Sequence, residues 1–285
     1  VDISVSHPEG DNVTESLTNV ATVVVDDTDQ PHKQQRIFTP TIQNAVNAAG
    51  RRGADRDDND QNDVINVRQG TYNESVRVDT ADLTLNGPNS GTPGDDSDNR
   101  SNEATLRRKV IVNRVSGVTI DGFKIAEGGT SLTSGVSIRS GSNDIDSITV
   151  KNNIISGMSD SNSSDFTFGI LSFDNPKTNA GTLSNATVRD NKISDIGVDN
   201  STQGVAISLE ALTGSNGNTR VDGNSIKNIS TLNEGSPGTG IALRPNFDGT
   251  DSDAEVTDDN TFENVDIAVS HPEGDNVTES LTNVA

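Results

Sequence analysis

The most constraining feature of this chain is that its beginning and its end carry almost the same sequence. Residues 1–21 read VDISVSHPEGDNVTESLTNVA, and residues 265–285 repeat them with only Ser4 replaced by Ala268. The copies lie 264 residues apart, and a long fixed offset is typical of proteins built from tandem units. The duplication predicts a building block of about 264 residues followed by the start of the next one. The alternative is a cap segment duplicated inside a single domain.

The apolar residues are few but ordered along the chain. Only 29% of the 285 residues are hydrophobic and 3% are aromatic, a composition that can also mark disorder. However, they fall in short β-branched runs with period two, such as VTIDGFKI from Val118 and SITVKNNII from Ser147. Such runs predict strands, and many thin β layers need fewer large core residues than one thick core.

The charge balance excludes two classes of partner. A net charge of −22 argues against nucleic acid, which needs a basic face, and against anionic lipid. The acid excess resembles that of proteins from extreme halophiles; an acidic secreted protein of a mesophile is the alternative. No apolar run reaches 18 residues, so no membrane insertion is expected in this segment. The absence of Cys excludes disulfides and thiolate sites.

One helix is predicted, over residues 40–49. Thr39 is expected to cap it, and Pro40 suits its first turn. Its apolar face is formed by Ile42, Ala45, Val46 and Ala49.

The order of elements over Thr41–Asn89 has a familiar pattern: helix, polar loop, DVINVRQGTYNESVRV, then LTLNG. It resembles the first coils of right-handed parallel β-helix proteins of the pectin-lyase-like group, in which the helix caps the open end. The resemblance implies an all-β fold, a right-handed parallel β-helix (solenoid) with one short N-terminal capping helix.

An internal register supports that fold. One anchor position recurs in steps of 30, 38, 33 and 36 residues, each step being one coil. It is occupied in turn by Phe123, Asn153, Asn191, Asn224 and Asn260. Stacked asparagines can hydrogen-bond along the axis and tolerate left-handed backbone, so the four predict a structural ladder. A row of polar ligands is the alternative.

The enzymes that share this fold have motifs that the chain lacks. Polygalacturonase-like hydrolysis uses Gly-His-Gly and Arg-Ile-Lys beside clustered Asp, and neither motif occurs here. Lys151, Arg189 and Arg220 are expected to hold one position in successive coils, as a short basic stripe or as partners of neighbouring Asp side chains. The sequence therefore predicts that the protein is not an enzyme.

Acidic loops suggest one ion. Carboxylates at alternate positions are hard oxygen donors, and Ca²⁺ is the only cofactor that they suggest. The candidate ligands are Asp55, Asp57, Asp60, Asp251, Asp253 and Glu255. Solvated, salt-adapted loops are the alternative.

The organisation that follows has four parts. Residues 1–21 are an overhang equivalent to the end of a preceding unit, residues 22–39 a connector, residues 40–264 the β-helix, and residues 265–285 the last-coil strand with the second copy. The residues expected to mediate assembly are Val1, Ile3, Val5, Val265, Ile267 and Val269.

These features predict a structural repeat unit of an extracellular or cell-surface filament, with itself as partner and surface glycans as a further partner class. Units are either tandem in one chain or separate protomers. The alternative is a polysaccharide-degrading β-helix enzyme or a viral tail-fibre depolymerase.

Overall fold

A computed structural model shows the architecture of the chain. It describes residues 21–25, 35–53, 63–126, 132–159, 166–173, 181–197, 203–212, 219–229, 237–245, 254–271 and 277–279. In these ranges the chain forms short strands and a single α-helix, α1 (Ile42–Gly53).

The strands are mostly three to six residues long. In chain order they are β1 (Ala21–Val25), β2 (Gln35–Thr39), β3 (Asp63–Val67), β4 (Gly70–Tyr72), β5 (Val76–Val78), β6 (Leu83–Asn86), β7 (Ala104–Leu106), β8 (Val110–Asn113), β9 (Thr119–Asp121), β10 (Lys124–Ala126), β11 (Ser134–Arg139), β12 (Ile145–Asp146), β13 (Thr149–Lys151), β14 (Ile154–Ser156), β15 (Phe166–Phe173), β16 (Leu183–Ser184), β17 (Thr187–Arg189), β18 (Lys192–Ile196), β19 (Gln203–Leu212), β20 (Thr219–Asp222), β21 (Ser225–Ile229), β22 (Thr239–Pro245), β23 (Ala254–Val256), β24 (Thr261–Val265), β25 (Ile267–Ser270) and β26 (Val277–Glu279).

Successive strands belong to three different sheets, and each coil returns to the sheet where it began. Sheet A has ten strands in the order β2-β1-β3-β6-β9-β13-β17-β20-β23-β26, and sheet B has seven in the order β24-β21-β18-β14-β10-β7-β4. Sheet C has nine, with β5, β8, β11, β15, β19, β22 and β25 in succession and the short β12 and β16 beside β19. From β3 onward every pairing is parallel. The described residues therefore form a parallel β-solenoid with one helix, which confirms the predicted all-β solenoid with a single helix.

The core is a set of narrow columns rather than one thick layer. In each sheet, residues at one register position are apolar and buried in successive coils. The sheet A column is Ile65, Leu85, Ile120, Val150, Val188, Val221 and Val256. The sheet B column is Tyr72, Leu106, Ile125, Ile155, Ile193, Ile226 and Phe262. The sheet C column is Val76, Val110, Val136, Ile170, Ile207 and Ile241. One or two inward residues per strand fill this space, so a chain of low apolar content can still build a dry core.

The beginning of the solenoid is covered by an antiparallel hairpin and by the helix. Strands β1 and β2 pair antiparallel, and β1 also pairs antiparallel with β3. Apart from Ala21, both strands lie in the predicted connector of residues 22–39, where the sequence predicts a strand over Thr22–Asp26 but not β2. Helix α1 packs against β1, β2, β3 and β5, and its predicted apolar face is buried.

The start of α1 differs from the sequence prediction. Thr41, not Thr39, caps the helix, because its Oγ1 accepts the backbone N–H of Asn44 at 3.1 Å. The Thr39 hydroxyl instead donates to the carbonyl of Thr41 at 2.6 Å. Two further helix-start N–H groups are bound by a carboxylate from the first coil, that of Glu74.

Between β6 and β7, residues 87–103 form a segment that we call the strap. The strap crosses the corners between sheets A and B in successive coils. The Ser90 hydroxyl donates to Asp121 at 2.8 Å, and the Gly94 N–H donates to the carbonyl of Asp190, also at 2.8 Å. The strap therefore joins coils that are not its sequence neighbours, and the sequence analysis did not find it.

Arg100 holds the strap in place. Its side chain is only 3% exposed, and Nη1 donates to the carbonyls of Thr92 and Asn152 at 2.8 and 2.7 Å. Its charge is balanced by Glu103, with Nε 3.0 Å from Oε1. A buried guanidinium with these partners acts as a structural cross-link.

Candidate functional site: the open end of the solenoid

The last described coil is built largely by the second copy of the duplicated segment. Strands β25 and β26 lie within residues 265–285, and β24 ends at Val265. Among the described residues, β24 pairs only with β21, β25 only with β22, and β26 only with β23. Each sheet therefore ends here in a strand whose far edge has no described partner.

Burial falls at this end. Ile229 and Ile241 are fully buried, whereas their register partners in the last coil, Val265 and Val269, are only half-buried. Ile267, the third predicted assembly residue of this copy, is half-buried as well. The last coil thus presents part of an apolar core to solvent, as expected where the next layer of a stack belongs. Val1, Ile3 and Val5 of the first copy lie outside the described residues.

Specific contacts bind the second copy to its own unit. The Gly238 N–H donates to Asp266 Oδ2 at 2.7 Å, and the Gly238 carbonyl accepts the N–H groups of Asp266 and Ile267 at 3.1 and 3.0 Å. Just before the second copy, Lys227 Nζ lies 2.6 Å from Glu263 Oε1 at the outer surface. The described residues of the second copy, 265–271 and 277–279, thus lie in the final turn of the solenoid.

The four predicted ladder asparagines are buried and bonded to one another. Oδ1 of Asn191 accepts from the backbone N–H and from Nδ2 of Asn153 at 3.0 and 3.1 Å. Asn224 does the same for Asn191, and Asn260 for Asn224, at 3.0 to 3.1 Å. At the near end Asn153 Oδ1 accepts the N–H of Phe123. The ladder runs through the solenoid to the coil before the open end and satisfies buried corner groups.

The left-handed backbone lies one residue before the ladder. Gly122, Asn152, Asp190 and Gly223 precede the anchor residues and have φ of 75°, 55°, 54° and 60°. These are residue types that adopt this conformation at low cost. Gly223 is further restricted, because a Cβ there would lie 2.6 Å from Oδ1 of Asp190.

The strand register aligns two residues of the predicted basic stripe but not the third. Lys151 is level with Arg189, but Arg189 is level with Asp222 and Arg220 with Thr187. The expectation that all three cations hold one position was therefore wrong for Arg220, which precedes its inward valine instead of following it.

Each stripe cation has a carboxylate partner. Nζ of Lys151 lies 3.4 Å from Asp121, Nη1 of Arg189 lies 2.9 Å from Asp190, and Nε of Arg220 lies 3.3 Å from Asp222. Burial raises the pKa of Asp190, against the opposing effect of the Arg189 charge. This surface is a set of local ion pairs rather than a free basic face.

A different group of cations has no such partners. Arg107, Arg108 and Lys109 follow β7, and Arg114 follows β8 and donates its N–H to the carbonyl of Arg139 at 2.7 Å. Within the described part of the chain, these five residues form no ion pair. Burial and, secondarily, the charge of Arg139 lower the pKa of Lys109. We call these five residues the cation cluster.

Most of the predicted Ca²⁺ ligands fall outside the described residues, namely Asp55, Asp57, Asp60, Asp251 and Asp253. Glu255 lies on β23, and its carboxylate is 4.0 Å from Nη1 of Arg220. In the described ranges no group of three or more His, Cys, Asp or Glu side chains could hold a metal ion. The Ca²⁺ site remains a prediction from sequence.

Comparison with protein-family models, with curated proteins and with solved structures finds no significant match for this chain. The class of the protein is therefore given by its own architecture, a parallel β-solenoid. Helix α1, the only helix among the described residues, is too short and too polar to cross a bilayer.

Proposed function

We propose that this chain is a structural repeat unit of an extracellular or cell-surface filament of a halophile, assembling head to tail through the duplicated segment. The observation that carries the proposal is the position of that segment. The described part of its second copy lies in the last coil, where apolar side chains are half-buried and the outer strand edges have no partner among the described residues. Its first copy directly precedes the hairpin that covers the opposite end.

The fold suits a filament because a solenoid grows in one direction and its ends are its only open edges. Stacking two units would cover the half-exposed residues of the last coil. A contact of this heterologous kind does not close on itself, so it produces fibres rather than rings. The net charge of −22 favours solubility of the lateral surface in high salt, as expected for a surface protein of a halophile. The resemblance of the first coils to the pectin-lyase-like group agrees with such an extended solenoid.

The test is electron microscopy of the purified chain in molar salt, alongside a variant lacking residues 1–21. Threads with a regular axial repeat are expected for the intact chain, and shorter or no threads for the truncated variant. The truncated variant must keep its β signal in circular dichroism, since the solenoid retains its own last coil. Discrete single particles for the intact chain at every salt and protein concentration would refute the proposal.

One observation favours the second candidate function, contact with an acidic polysaccharide. The cation cluster is a group of positive side chains that form no ion pair within the described ranges of an otherwise acidic protein, and such groups bind carboxylated or sulfated polymers. A retardation assay with polyuronate, comparing the intact chain with an Arg107→Ala, Arg108→Ala, Lys109→Ala variant, distinguishes the two functions. Loss of retention in the variant supports glycan contact, and equal mobility with and without polyuronate excludes it.

A further inference from the structure

Sheet A is the one sheet whose two outer strands are contributed by the two ends of the described chain. Its first strand is β2, from the covering hairpin, and its last is β26, from the second copy. Among the described residues, β2 pairs only with β1, and β26 pairs only with β23. Sheet A therefore has, at each end of the unit, a strand whose outer edge pairs with nothing in the described ranges.

The directions of these two edge strands match. Strand β1 is antiparallel to β3, and β2 is antiparallel to β1, so β2 runs in the same direction as β3. All strands from β3 to β26 in this sheet are parallel. The hairpin thus reverses the chain twice and presents an edge that can extend the sheet in parallel.

The helix covers a different part of the same end. Helix α1 packs against β5 of sheet C and places Ile42, Ala45 and Val46 in the core. At sheet C, the first coil is therefore covered by buried side chains of α1 and not by backbone pairing with another strand. The edge of β2 in sheet A thus stays available for backbone pairing at the covered end, as does the outer edge of β4 in sheet B.

We infer that sheet A is continuous from unit to unit, with β2 of one unit pairing in parallel with β26 of the unit before it. This inference rests on the proposed function, since it requires that units join head to tail. The joint adds backbone hydrogen bonds to the apolar contact of the last coil and fixes the rotation between units. Neither strand contains proline, so every residue of both can donate its N–H.

The chain has no cysteine, so paired cysteine substitutions can test this joint directly. Thr278→Cys in the middle of β26 is combined in turn with Arg36→Cys, Ile37→Cys or Phe38→Cys on β2. Neighbouring strands bring Cα atoms within the range that a disulfide requires, about 4.4–6.8 Å. Oxidation in molar salt is expected to give a ladder of covalent multimers on a non-reducing gel for at least one of the three pairs.

Two controls make the result decisive. Thr278→Cys with Glu255→Cys joins register partners on β26 and β23 and is expected to close within one chain, which verifies that the variant folds and that β26 is reactive. Thr278→Cys alone is expected to give dimers and no ladder. Threads in electron microscopy without a ladder from any β2 pair would overturn the β2–β26 joint and leave head-to-tail assembly standing. Absence of both threads and ladder would overturn the joint and the proposed function together.

Discussion

The two ends of this solenoid differ in how their outermost strands and apolar core residues are covered. At the covered end the hairpin pairs with β3, and α1 buries Ile42 and Ala49 completely. At the open end β24, β25 and β26 have one described partner each, and Ile267 and Val269 stay half-buried. The covered end therefore offers mainly a backbone edge, that of β2, whereas the open end offers a half-buried coil on which another layer can pack. The two surfaces differ in kind, and the proposed head-to-tail contact would bring them together.

The largest effect is expected in the asparagine ladder, which lies between these ends. Asn191→Ala removes the acceptor of two Asn153 donors and the donor to Val150 O and Asn224 Oδ1. Buried groups left without partners cost about 1–3 kcal/mol each, so we expect the free energy of unfolding to fall by about 4 kcal/mol in urea titrations. The matched control is Asn73→Ala, an exposed position near the covered end, expected to change it by less than about 0.5 kcal/mol. Equal effects of the two substitutions would show that the ladder does not stabilise the solenoid.

The second prediction compares the same substitution at both ends. Ile42→Ala in the fully buried helix face should lower the free energy of unfolding by about 2–5 kcal/mol. Ile267→Ala in the half-buried last coil should cost about 1 kcal/mol in the dilute single unit, because less apolar surface leaves the core. Denaturant titration at low protein concentration measures both.

Measuring filament formation of Ile267→Ala and Ile42→Ala at several protein concentrations extends this comparison to the assembled state. If units stack, Ile267 is covered in the filament, and Ile267→Ala should raise the protein concentration at which threads appear while Ile42→Ala acts mainly on unfolding. A dilute-unit cost for Ile267→Ala as large as that for Ile42→Ala would mean that the end is already closed.

The smallest effect concerns one carboxylate at each end. Oε1 and Oε2 of Glu74 accept the helix-start N–H groups of Ile42 and Gln43 at 2.9 and 3.0 Å. Glu74→Gln removes the negative charge beside the positive end of the helix dipole and should cost about 1 kcal/mol. Glu263→Gln at the open end breaks only an exposed ion pair with Lys227 and should cost about 0.5 kcal/mol or less. Thermal unfolding of the two variants side by side measures the difference, and the reverse order would contradict the helix-cap role of Glu74.

Regular features of the fold could be predicted from the sequence. Coil spacing placed Asn153, Asn191 and Asn224 at one position of successive coils, and these side chains hydrogen-bond to one another in the structure. Alternating β-branched runs predicted the strands, because a strand buries every second residue. Coil spacing and alternating apolar runs are both visible in the sequence alone, so they can be recognised without knowing which strands pair with each other.

Irregular features could not be predicted in the same way. The strap has no apolar periodicity, and its position depends on contacts of Ser90 and Arg100 with coils far along the chain. The cap of α1 shifted from Thr39 to Thr41 because a neighbouring coil supplies Glu74 to the first turn. Arg220 lies level with Thr187, two residues before the level of Arg189 and on the same outward face, because it precedes its inward valine in the chain.

The sequence by itself determined that this protein is a coiled stack of short parallel strands with a duplicated end segment, since period-two runs and a recurring anchor are properties of the chain. Only the tertiary structure decided which strands stand at the edges, that the hairpin turns β2 parallel to the solenoid, and that the second copy completes an uncovered coil. Whether a strand is an edge strand, and how exposed its residues are, depends on the tertiary contacts of each segment. The residue pattern within a segment does not specify those contacts.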